Sequence, residues 1–541
     1  MSDKTVATEV IETLRDIGVR HVFGVPSGGW VDYMEALRLT DGIDFVLATH
    51  EGGAAFMADV CGRLTGAPGV CFGTFGPGAT NLATGVGSAL LDRSPMIALT
   101  DEMGPEMRGR TTQMGIDHQK LFDPITKATT RLEADSARDI IIEAARVALS
   151  ERPGPVHVGL PVGMSAELAG ASMAPLPILD PVSLAPQEAL DQGAELLQNT
   201  RKPLFTLGLS AVRAGVADQV IAMAEQLQAP VVLTPMAKGL MSEEHPLYAG
   251  VLFHALSDVV ALTYGQADLV VAVGYDPVEF NLEQWMPNVP LLNLDAMVVD
   301  IDREAYPQVV DITGDIAGSL ENLSRDYLHA REWNINELAD RREEMFQRMN
   351  PDSDTFGPCA ALEILRKVFP EEGIMTCDVG AHIHLIGQKW PTPAPGKQIM
   401  TNGWSAMGFA IPSAIAAKLC KPELPVCTVV GDGGFLMTAG ELAVAVRENL
   451  DIVFVVFTDN DLALIRIKQE KKDNPIYGTP IRERGTIGGD NIFGVPVLKA
   501  YNPAEYQDAL EQAMETTGPV IVEAMLDSRE YDDLVLRSNK F

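Results

Sequence analysis

Two acidic motifs, each at the end of a buried strand, constrain this chain more than any other feature. An apolar run over residues 426–430 leads into Asp432-Gly433-Gly434, and another over 452–457 leads into Asp459-Asn460. Apolar residues recur at helical spacing between Leu436 and Glu448, which predicts one βαβ unit. The two strands of such a unit are parallel, and neighbouring strands lie roughly 4.8 Å apart. Asp432 and Asp459 are therefore predicted to meet at one edge of a sheet.

These residues suit a divalent cation that holds an anionic ligand. The carboxylates of Asp432 and Asp459 could share a hard cation such as Mg²⁺. Gly433 and Gly434 open the helix and leave backbone N–H groups bare for a phosphate. A simpler interpretation is equally open, in which Asp432 caps the helix and Asp459-Asn460 forms a turn. Short glycine and aspartate motifs have many false positives, so other segments must decide between the two.

Length and charge narrow the class of protein. With 541 residues the chain is too long for one core, and about 150 residues per domain predicts three or four domains. A formal charge of −33 argues against a nucleic-acid or anionic-membrane partner, because both would repel the chain. The six cysteines have no metal-ligand spacing and are predicted to be reduced thiols. The chain shows neither a signal-peptide core nor an apolar run of membrane-spanning length, so we expect a cytoplasmic protein.

Alternating strand and helix patterns divide the chain into three segments. We predict an α/β fold with three doubly wound parallel-sheet domains, at residues 1–168, 187–330 and 355–541. A stretch rich in proline and alanine at 169–186 is predicted to be a linker, and a charged helix is predicted over 324–349. The strands predicted in the first two segments are 21–25, 45–49, 70–73, 96–100, 156–160, 203–208, 231–234, 269–274 and 291–295.

The first segment carries two strand-to-helix junctions that suggest chemistry. Glu51 begins a helix directly after the strand at 45–49, and residues 75–81 form a tight, glycine-containing junction where the backbone could approach a flat ligand. A glutamate at such a place commonly does no more than complement the positive end of its helix. Glu51 alone therefore does not establish a site.

Several collinear segments resemble the motifs of one enzyme family. They are residues 23–29, 50–59, 76–81, 152–156, 402–408 and the two acidic motifs. Along nearly its whole length the chain is similar to thiamine-diphosphate (ThDP)-dependent enzymes of the pyruvate oxidase and acetolactate synthase group. Residues 273–280 and 378–382, and an aspartate at 459, most resemble the catabolic, FAD-independent acetolactate synthases. The resemblance implies that the three domains are pyrimidine-binding, central and diphosphate-binding, and that FAD is unlikely as a cofactor.

The resemblance assigns expected roles in holding ThDP and Mg²⁺. Glu51 is expected to hydrogen-bond N1′ of the aminopyrimidine and to promote proton removal from the thiazolium C2. Asp432, Asp459 and the backbone carbonyl of Asp461 are expected to bind Mg²⁺. Met407 occupies the place of the apolar residue that keeps ThDP bent, and the Ser405 carbonyl is expected to accept from the 4′-amino group. The remaining residues expected at the cofactor are Pro26, Gly76, Asn81, His382, Gly431, Gly433 and Gly434.

Two of these residues have an ordinary alternative. Met407 by its type is more often a core residue. His382 is expected near the diphosphate, but it could equally be a histidine on a solvent-facing loop.

The substrate pocket matches the family less well. Gly28, Gln113 and Met114 are candidates, with Met114 where acetolactate synthases usually have glutamine. Leu464 and Ile465 resemble the apolar pair that flanks the reacting carbons. Lys468 would recognise an anionic group on the acceptor, although most helical charges are simply solvated. Arg93 lies near the position of a working histidine in decarboxylases of the group, and it could instead hold a carboxylate.

The resemblance implies decarboxylation of a small 2-oxo acid such as pyruvate, followed by carboligation to a second carbonyl compound. The alternative is a simple 2-oxo-acid decarboxylase that releases an aldehyde. A relative that had lost activity would lack Glu51 or one of the paired aspartates, and all three are present. In the family, Glu51 and the metal site come from different subunits, so a homodimer is expected, and such folds commonly assemble into homotetramers.

Overall fold

The structure, a computed structural model, describes residues 4–172, 174–177, 179–252, 254–279, 287–325, 332–351, 355–482 and 485–535. Three sheets, in which nearly all strand pairs are parallel, are surrounded by helices. This arrangement confirms the predicted α/β class. Among the described residues, no helix is both long enough and apolar enough to span a lipid bilayer.

The first sheet contains β1 (His21–Gly24), β2 (Asp44–Leu47), β3 (Gly69–Gly73), β4 (Met96–Glu102), β5 (Ala128–Arg131) and β6 (Pro155–Pro161). Its helices are α1 (Val6–Ile17), α2 (Val31–Leu39), α3 (Glu51–Thr65), α4 (Gly76–Leu91), α5 (His118–Phe122) and α6 (Ala137–Leu149). The strands are parallel in the order β2-β1-β3-β4-β6-β5. The edge strand β5 was not predicted, because its side chains are exposed or half-buried and form no apolar run.

The second sheet contains β7 (Pro203–Leu207), β8 (Val231–Leu233), β9 (Tyr248–Val251), β10 (Leu269–Val273), β11 (Leu291–Asp295) and β12 (Val309–Thr313). Its helices are α7 (Gln187–Asn199), α8 (Leu209–Ala214), α9 (Ala217–Leu227), α10 (Ser257–Tyr264), α11 (Ile316–Ser324) and α12 (Ile335–Arg348). The strand order β12-β11-β10-β7-β8-β9 reverses direction between β10 and β7. The predicted charged helix is α12, which begins later than expected, and residues 326–331 lie outside the described residues.

The third sheet contains β13 (Ile374–Cys377), β14 (Gln398–Ile399), β15 (Val426–Gly431), β16 (Ile452–Thr458), β17 (Asn491–Ile492), β18 (Val495–Ala500) and β19 (Val520–Met525). Its helices are α13 (Pro358–Val368), α14 (Ala381–Lys389), α15 (Ala410–Cys420), α16 (Asp432–Thr438), α17 (Leu442–Arg447), α18 (Ala463–Glu470), α19 (Pro503–Glu515) and α20 (Tyr531–Leu534). The strand order is β14-β13-β15-β16-β19-β18-β17, and the pair β17 and β18 is antiparallel.

The predicted βαβ unit is present, but its helix differs from the prediction. Strands β15 and β16 are parallel neighbours, with Gly431 beside Phe457 at their carboxyl ends. The helix begins at Asp432 instead of Leu436, and one tight turn at Ala439–Glu441 separates α16 from α17. The apolar spacing could not reveal this break, because buried side chains continue on both sides of the turn.

The first and third sheets share one hydrophobic core. Helix α3 packs against α15, and the Phe56 ring meets the Phe409 ring edge-on with centroids 5.5 Å apart. The guanidinium of Arg63 donates to the Met400 carbonyl at 2.7 Å and lies over the Phe409 ring. These contacts join the α3 face of the first sheet to the segment 400–409, which leads into α15.

Candidate active site

A cavity of about 240 Å³ lies at the carboxyl ends of β15 and β16. Among the described residues, those that line it all come from 379–531, so this cavity belongs to the third sheet. It brings together eleven of the predicted site residues, namely His382, Ser405, Met407, Gly431, Asp432, Gly433, Gly434, Asp459, Asp461, Leu464 and Ile465. The two acidic motifs therefore meet in one concave site, as the strand pairing predicted.

Asp432 and Asp459 form a buried acidic pair. Burial raises the pKa of Asp432 to about 6. Burial, and then the charge of Asp432, raises the pKa of Asp459 to about 7. The Asp432 carboxylate accepts from the Asn460 amide at 2.8 Å, which ties the two strand ends together. Because the ionised pair is costly without a cation, this arrangement fits a divalent metal.

The side chain of Asp461 already forms an ion pair with Arg466. Its Oδ2 lies 3.2 Å from Nε of Arg466, which also pairs with Glu470 and Asp532. Asp461 Oδ1 is buried and has no hydrogen-bond partner among the described residues. This pairing is compatible with the expectation that Asp461 contributes its backbone carbonyl to a metal.

The start of α16 is a narrow backbone cradle. A Cβ atom at Gly434 would lie 2.5 Å from Asp378 Oδ2, and one at Gly433 would lie 2.9 Å from Leu462 Cδ2. Side chains at these positions would collide with groups that shape the cavity. The backbone of Gly433 and Gly434 is therefore free of side chains at the cavity, an arrangement that fits an anion held by backbone N–H groups.

His382 is a buried residue of the cavity wall. Its side chain is only 5% exposed, so it is not a solvent-facing loop histidine. Burial lowers the pKa of His382 to about 4, which leaves the imidazole neutral at physiological pH. Its Nε2 atom has no hydrogen-bond partner in the described part of the chain. A neutral, unpartnered ring nitrogen at the cavity fits contact with a bound ligand.

Met407 lines the cavity from a loop whose base is bound to the first domain. It is half-buried, so it is not an ordinary core residue. Ser405, two residues earlier, adopts φ 53°, a left-handed conformation that residues other than glycine seldom adopt. Asp92 accepts from the amides of Asn402 and Gly403 at 3.0 and 2.8 Å, and thereby fixes the base of this loop to the first domain.

Glu51 lies outside the cavity of its own chain. It is 9% exposed at the start of α3, and Asn81 Nδ2 donates to its Oε2 at 2.9 Å. The buried carboxylate of Glu441 accepts from the amides of Thr49 and His50 at 3.1 and 3.0 Å, which fixes the turn before Glu51. The other candidates of the first domain also do not line the cavity, namely Pro26, Gly28, Gly76 and Asn81.

Three of the substrate candidates, Gln113, Met114 and Lys468, are exposed and do not line this cavity. Gln113 and Met114 lie on a loop before α5, where the Met114 carbonyl accepts from the Gly76 amide at 2.9 Å. This contact places the loop beside the glycine junction of the first domain. Lys468 is exposed on α18 and does not line the cavity, whereas Leu464 and Ile465 of the same helix line it.

The structure pairs Arg93 with a carboxylate of the protein instead of leaving it open to a substrate. Arg93 Nε and Nη2 donate to Asp276 at 2.6 and 3.1 Å, and Asp276 is 1% exposed. This bidentate pair joins the first domain to the second. Within this chain the carboxylate that Arg93 holds is that of Asp276, and a role of Arg93 towards a substrate stays a prediction.

Comparisons with known protein families agree with this arrangement. Residues 4–121 match the thiamine pyrophosphate enzyme N-terminal TPP binding domain, 190–323 its central domain, and 378–524 its C-terminal TPP binding domain. Acetolactate synthase of Bacillus subtilis is 30% identical, over 98% of this chain and 94% of the relative. The chain belongs to the thiamine pyrophosphate enzymes.

Other relatives of this thiamine pyrophosphate enzyme have similar names. The catabolic acetolactate synthase of Raoultella terrigena is 28% identical, over 96% of this chain and 95% of its own length. A probable acetolactate synthase large subunit of Methanocaldococcus jannaschii is 27% identical, over 97% and 92% respectively. The resemblance inferred from the motifs is therefore confirmed.

Tyr531 is a cavity residue of this thiamine pyrophosphate enzyme that the sequence did not predict. It is 4% exposed and lines the cavity from α20, together with Phe457 and Leu526. Its helix has four residues and follows no motif, so no local signal marks it. Phe457 ends the strand predicted over 452–457. Its place at the carboxyl end of β16 was the one sequence feature that pointed to the cavity.

In the central domain of this thiamine pyrophosphate enzyme, a buried glutamate lies at the point where doubly wound sheets commonly bind a ligand. In doubly wound sheets a ligand binds where the strand order reverses, here between β10 and β7. At that point Glu279 accepts from the Leu209 amide and the Thr234 hydroxyl at 2.8 and 2.6 Å. A Cβ atom at Gly208 would lie 2.9 Å from the same carboxylate. Glu279 is therefore bound to the segments that follow β7 and β8, and Phe280 of the matching motif lies outside the described residues.

Proposed function

We propose that this chain catalyses the ThDP- and Mg²⁺-dependent decarboxylation of a pyruvate-like 2-oxo acid, with carboligation to a second carbonyl compound. The observation that carries the proposal is the meeting of Asp432 and Asp459 with Met407 and the apolar pair Leu464 and Ile465 in one cavity. The names of the relatives, all acetolactate synthases, support the carboligase over other reactions of the family.

The third domain holds the metal and the diphosphate in this proposal. Asp432, Asp459 and the Asp461 carbonyl bind Mg²⁺, a hard cation that takes oxygen ligands and phosphate. The amides of Gly433 and Gly434 would hold the diphosphate, and the neutral His382, which lines the same cavity, would form a hydrogen bond beside it. When bound, ThDP supplies the electron sink for loss of CO₂. The apolar wall formed by Leu464 and Ile465 excludes water from the reacting carbons.

The first domain supplies the acid–base group. Glu51 would share a proton with N1′ of the aminopyrimidine, and Asn81 holds the carboxylate by one oxygen, so that the other would be available to the cofactor. Because Glu51 does not line the cavity of its own chain, we propose that it serves the cavity of a partner subunit in a homodimer. Further assembly into a homotetramer remains a prediction.

Mixing two inactive variants tests this shared site. Glu51→Gln and Asp432→Asn proteins are each expected to be inactive, but a heterodimer of the two carries one intact site. Co-expression with two different affinity tags, followed by sequential purification, should recover up to about half of the wild-type activity. The same mixture made from two Glu51→Gln chains is the matched control and should stay inactive. Absence of activity in the heterodimer would mean that Glu51 serves its own chain.

Product analysis tests the reaction. Incubation with pyruvate, ThDP and Mg²⁺ should give acetolactate, whereas the alternative, a simple decarboxylase, would give acetaldehyde. If neither product forms, a screen of 2-oxobutyrate and of aromatic, sulfonated and phosphonated 2-oxo acids identifies the donor. Hydrogen–deuterium exchange at the thiazolium C2 is independent of the donor. It should be accelerated by the protein and lose that acceleration in Glu51→Gln.

We further propose the domain bounds and the cofactor set. Residues 1–168 bind the pyrimidine, 187–330 form the central domain and 355–541 bind the diphosphate. FAD is not among the proposed cofactors, because the Glu279 carboxylate lies where the central sheet would receive a nucleotide. Purified protein that carries bound flavin, detected by its absorbance, would contradict this last point.

A further inference from the structure

Two cysteines from different domains are in direct contact. Cys61 lies on α3 in the first domain, and Cys420 ends α15 in the third. Their sulfur atoms are 2.8 Å apart. Cys61 is buried, whereas Cys420 is half-buried and so remains accessible from solvent. For comparison, the buried Cys71 lies 3.8 Å from the sulfur of Met96, which is an ordinary packing distance.

The distance between the two sulfurs is shorter than packing alone produces. Non-bonded heavy atoms usually approach to about 3.5–4.0 Å. A disulfide bond is about 2.05 Å long, so the two sulfurs need to move together by less than about 1 Å. Helices α3 and α15, which carry Cys61 and Cys420, already pack against each other. The pair is therefore preorganised for a bond.

We propose that Cys61 and Cys420 form a reversible disulfide that links the pyrimidine-binding and diphosphate-binding domains of one chain when the protein meets a hydroperoxide. In a reducing compartment both residues remain thiols. The cross-link forms under oxidative conditions and is reversed by a dithiol.

The chemistry balances in two steps. The Cys420 thiolate attacks the peroxide O–O bond, which breaks to give a sulfenic acid on Cys420 and hydroxide or alkoxide. The Cys61 sulfur then attacks the sulfenic sulfur, the S–O bond breaks, and the departing hydroxide takes the Cys61 proton to form water. The two thiols lose two electrons in total, and the hydroperoxide gains them. A dithiol such as dithiothreitol returns the electrons by thiol–disulfide exchange.

The exposure of the two thiols sets this order. Burial, and the contact with Cys420, raise the pKa of Cys61 well above its usual value, so this thiol does not react first with an oxidant. Cys420 is the accessible partner and takes the first oxidation. Its sulfenic acid forms within reach of Cys61, which favours the disulfide over further oxidation of Cys420.

The cross-link secures the domains without displacing the acid–base group. Cys61 follows Glu51 by ten residues on α3, which is about 15 Å along the helix. The bond would join helices that already pack, so we expect the oxidised protein to keep its turnover. We also expect a higher Tm, because the link restricts the unfolded chain.

Peptide mapping of the oxidised protein tests the proposal. The purified full-length protein is treated with hydrogen peroxide, alkylated without reduction and digested. The expected result is a cross-linked pair of peptides that contain Cys61 and Cys420, with the mass lowered by two hydrogen atoms, and its disappearance after dithiothreitol. Recovery of both peptides in alkylated form, or of a Cys420 sulfinic acid without the link, would overturn the proposal. A disulfide between two copies of Cys420 would overturn it as well.

Unfolding measurements on variants test the consequence. Oxidation should raise the Tm of the wild-type protein by several degrees, and the increase should be absent in Cys420→Ser and Cys61→Ser. Cys359→Ser, which alters a cysteine outside the pair, is the matched control and should retain the increase. If a variant does not fold, the wild-type peptide map still decides the question. An equal increase in Cys420→Ser would show that another group is responsible and would overturn the assignment.

Discussion

Both carboxylate oxygens of Asp378 accept the amide hydrogen of Gly408, at 2.9 and 3.0 Å. Asp378 follows β13 directly and is fully buried, and Gly408 follows Met407 in the loop at the cavity. Burial raises the pKa of Asp378 to about 7, although several backbone N–H groups oppose this shift. One carboxylate thus fixes the Met407 loop to the carboxyl end of β13 in the third sheet.

Asp378→Asn should weaken cofactor binding, because the substitution places an amide N–H₂ against backbone donors. A hydrogen bond to a charged group contributes about 1.5–3 kcal/mol, and about 1.4 kcal/mol corresponds to a tenfold change in affinity. We therefore expect the Kd for ThDP in the presence of Mg²⁺, measured by titration calorimetry, to rise at least tenfold. Asp490→Asn, at an exposed carboxylate paired with Lys499, is the control and should leave the Kd unchanged. An unchanged Kd in Asp378→Asn would show that the loop holds its shape without this carboxylate.

Asn81→Ala should slow turnover through Glu51. The Asn81 amide donates to Glu51 Oε2, so its loss frees the carboxylate to rotate. We expect kcat to fall about tenfold, with KM little changed, since one hydrogen bond to a charged group is lost. In a Glu51→Ala background the same substitution should have no further effect on residual C2 exchange. Additive losses in the double variant would mean that Asn81 acts on the cofactor independently of Glu51.

Arg93→Met should affect stability and not substrate affinity. Removing one partner of a buried ion pair costs about 3–5 kcal/mol. The loss should lie near the lower end of that range here, because Arg152 Nε lies 3.8 Å from the same carboxylate and remains in the variant. Burial acts to raise the pKa of Asp276, but the hydrogen bonds and charge of Arg93 outweigh it, so that pKa is lowered. The contribution is therefore present at neutral pH and is lost on acidification as Asp276 takes up a proton. Urea unfolding should show a lower midpoint, with KM unchanged. A raised KM with normal stability would instead indicate that Arg93 acts at the substrate pocket.

Stabilisation by ThDP and Mg²⁺ should depend on pH through Asp432 and Asp459. Their pKa values are raised in the folded protein, so the folded apo-protein binds these protons more tightly than the unfolded chain does. Without a ligand the ionised pair is destabilising above pH of about 7, and this is relieved as pH falls through about 7 and about 6. Because the metal needs ionised ligands, the Tm gain on adding ThDP and Mg²⁺ should be largest above that range and shrink below it.

Asp432→Asn is the control for this titration, since ThDP phosphate groups also take up protons at mildly acidic pH. The variant should show a small Tm gain at every pH, and its apo-protein should be less sensitive to pH than the wild type. A Tm gain in the wild type that does not change between pH of about 8 and pH of about 5 would contradict the assignment of the pair as metal ligands.

Much of the site could be predicted from short segments of sequence. The runs before Asp432 and Asp459 are apolar because β15 and β16 are buried on both faces, and a parallel pairing of consecutive strands brings their ends together. At the same edge, neighbouring side chains lie so close to Gly433 and Gly434 that a Cβ atom at either position would have too little room. Each of these features depends on residues that are close together in the sequence, so it can be predicted from a short sequence pattern.

The sequence by itself thus determined the α/β class, the family and the residues at the carboxyl edge of the third sheet. Only the tertiary structure decided which distant groups pair. Arg93 and Asp276 are 183 residues apart in the chain, and Cys61 and Cys420 are 359 apart. Neither pair leaves a periodic or spaced signal, because each contact arises from the packing of whole domains.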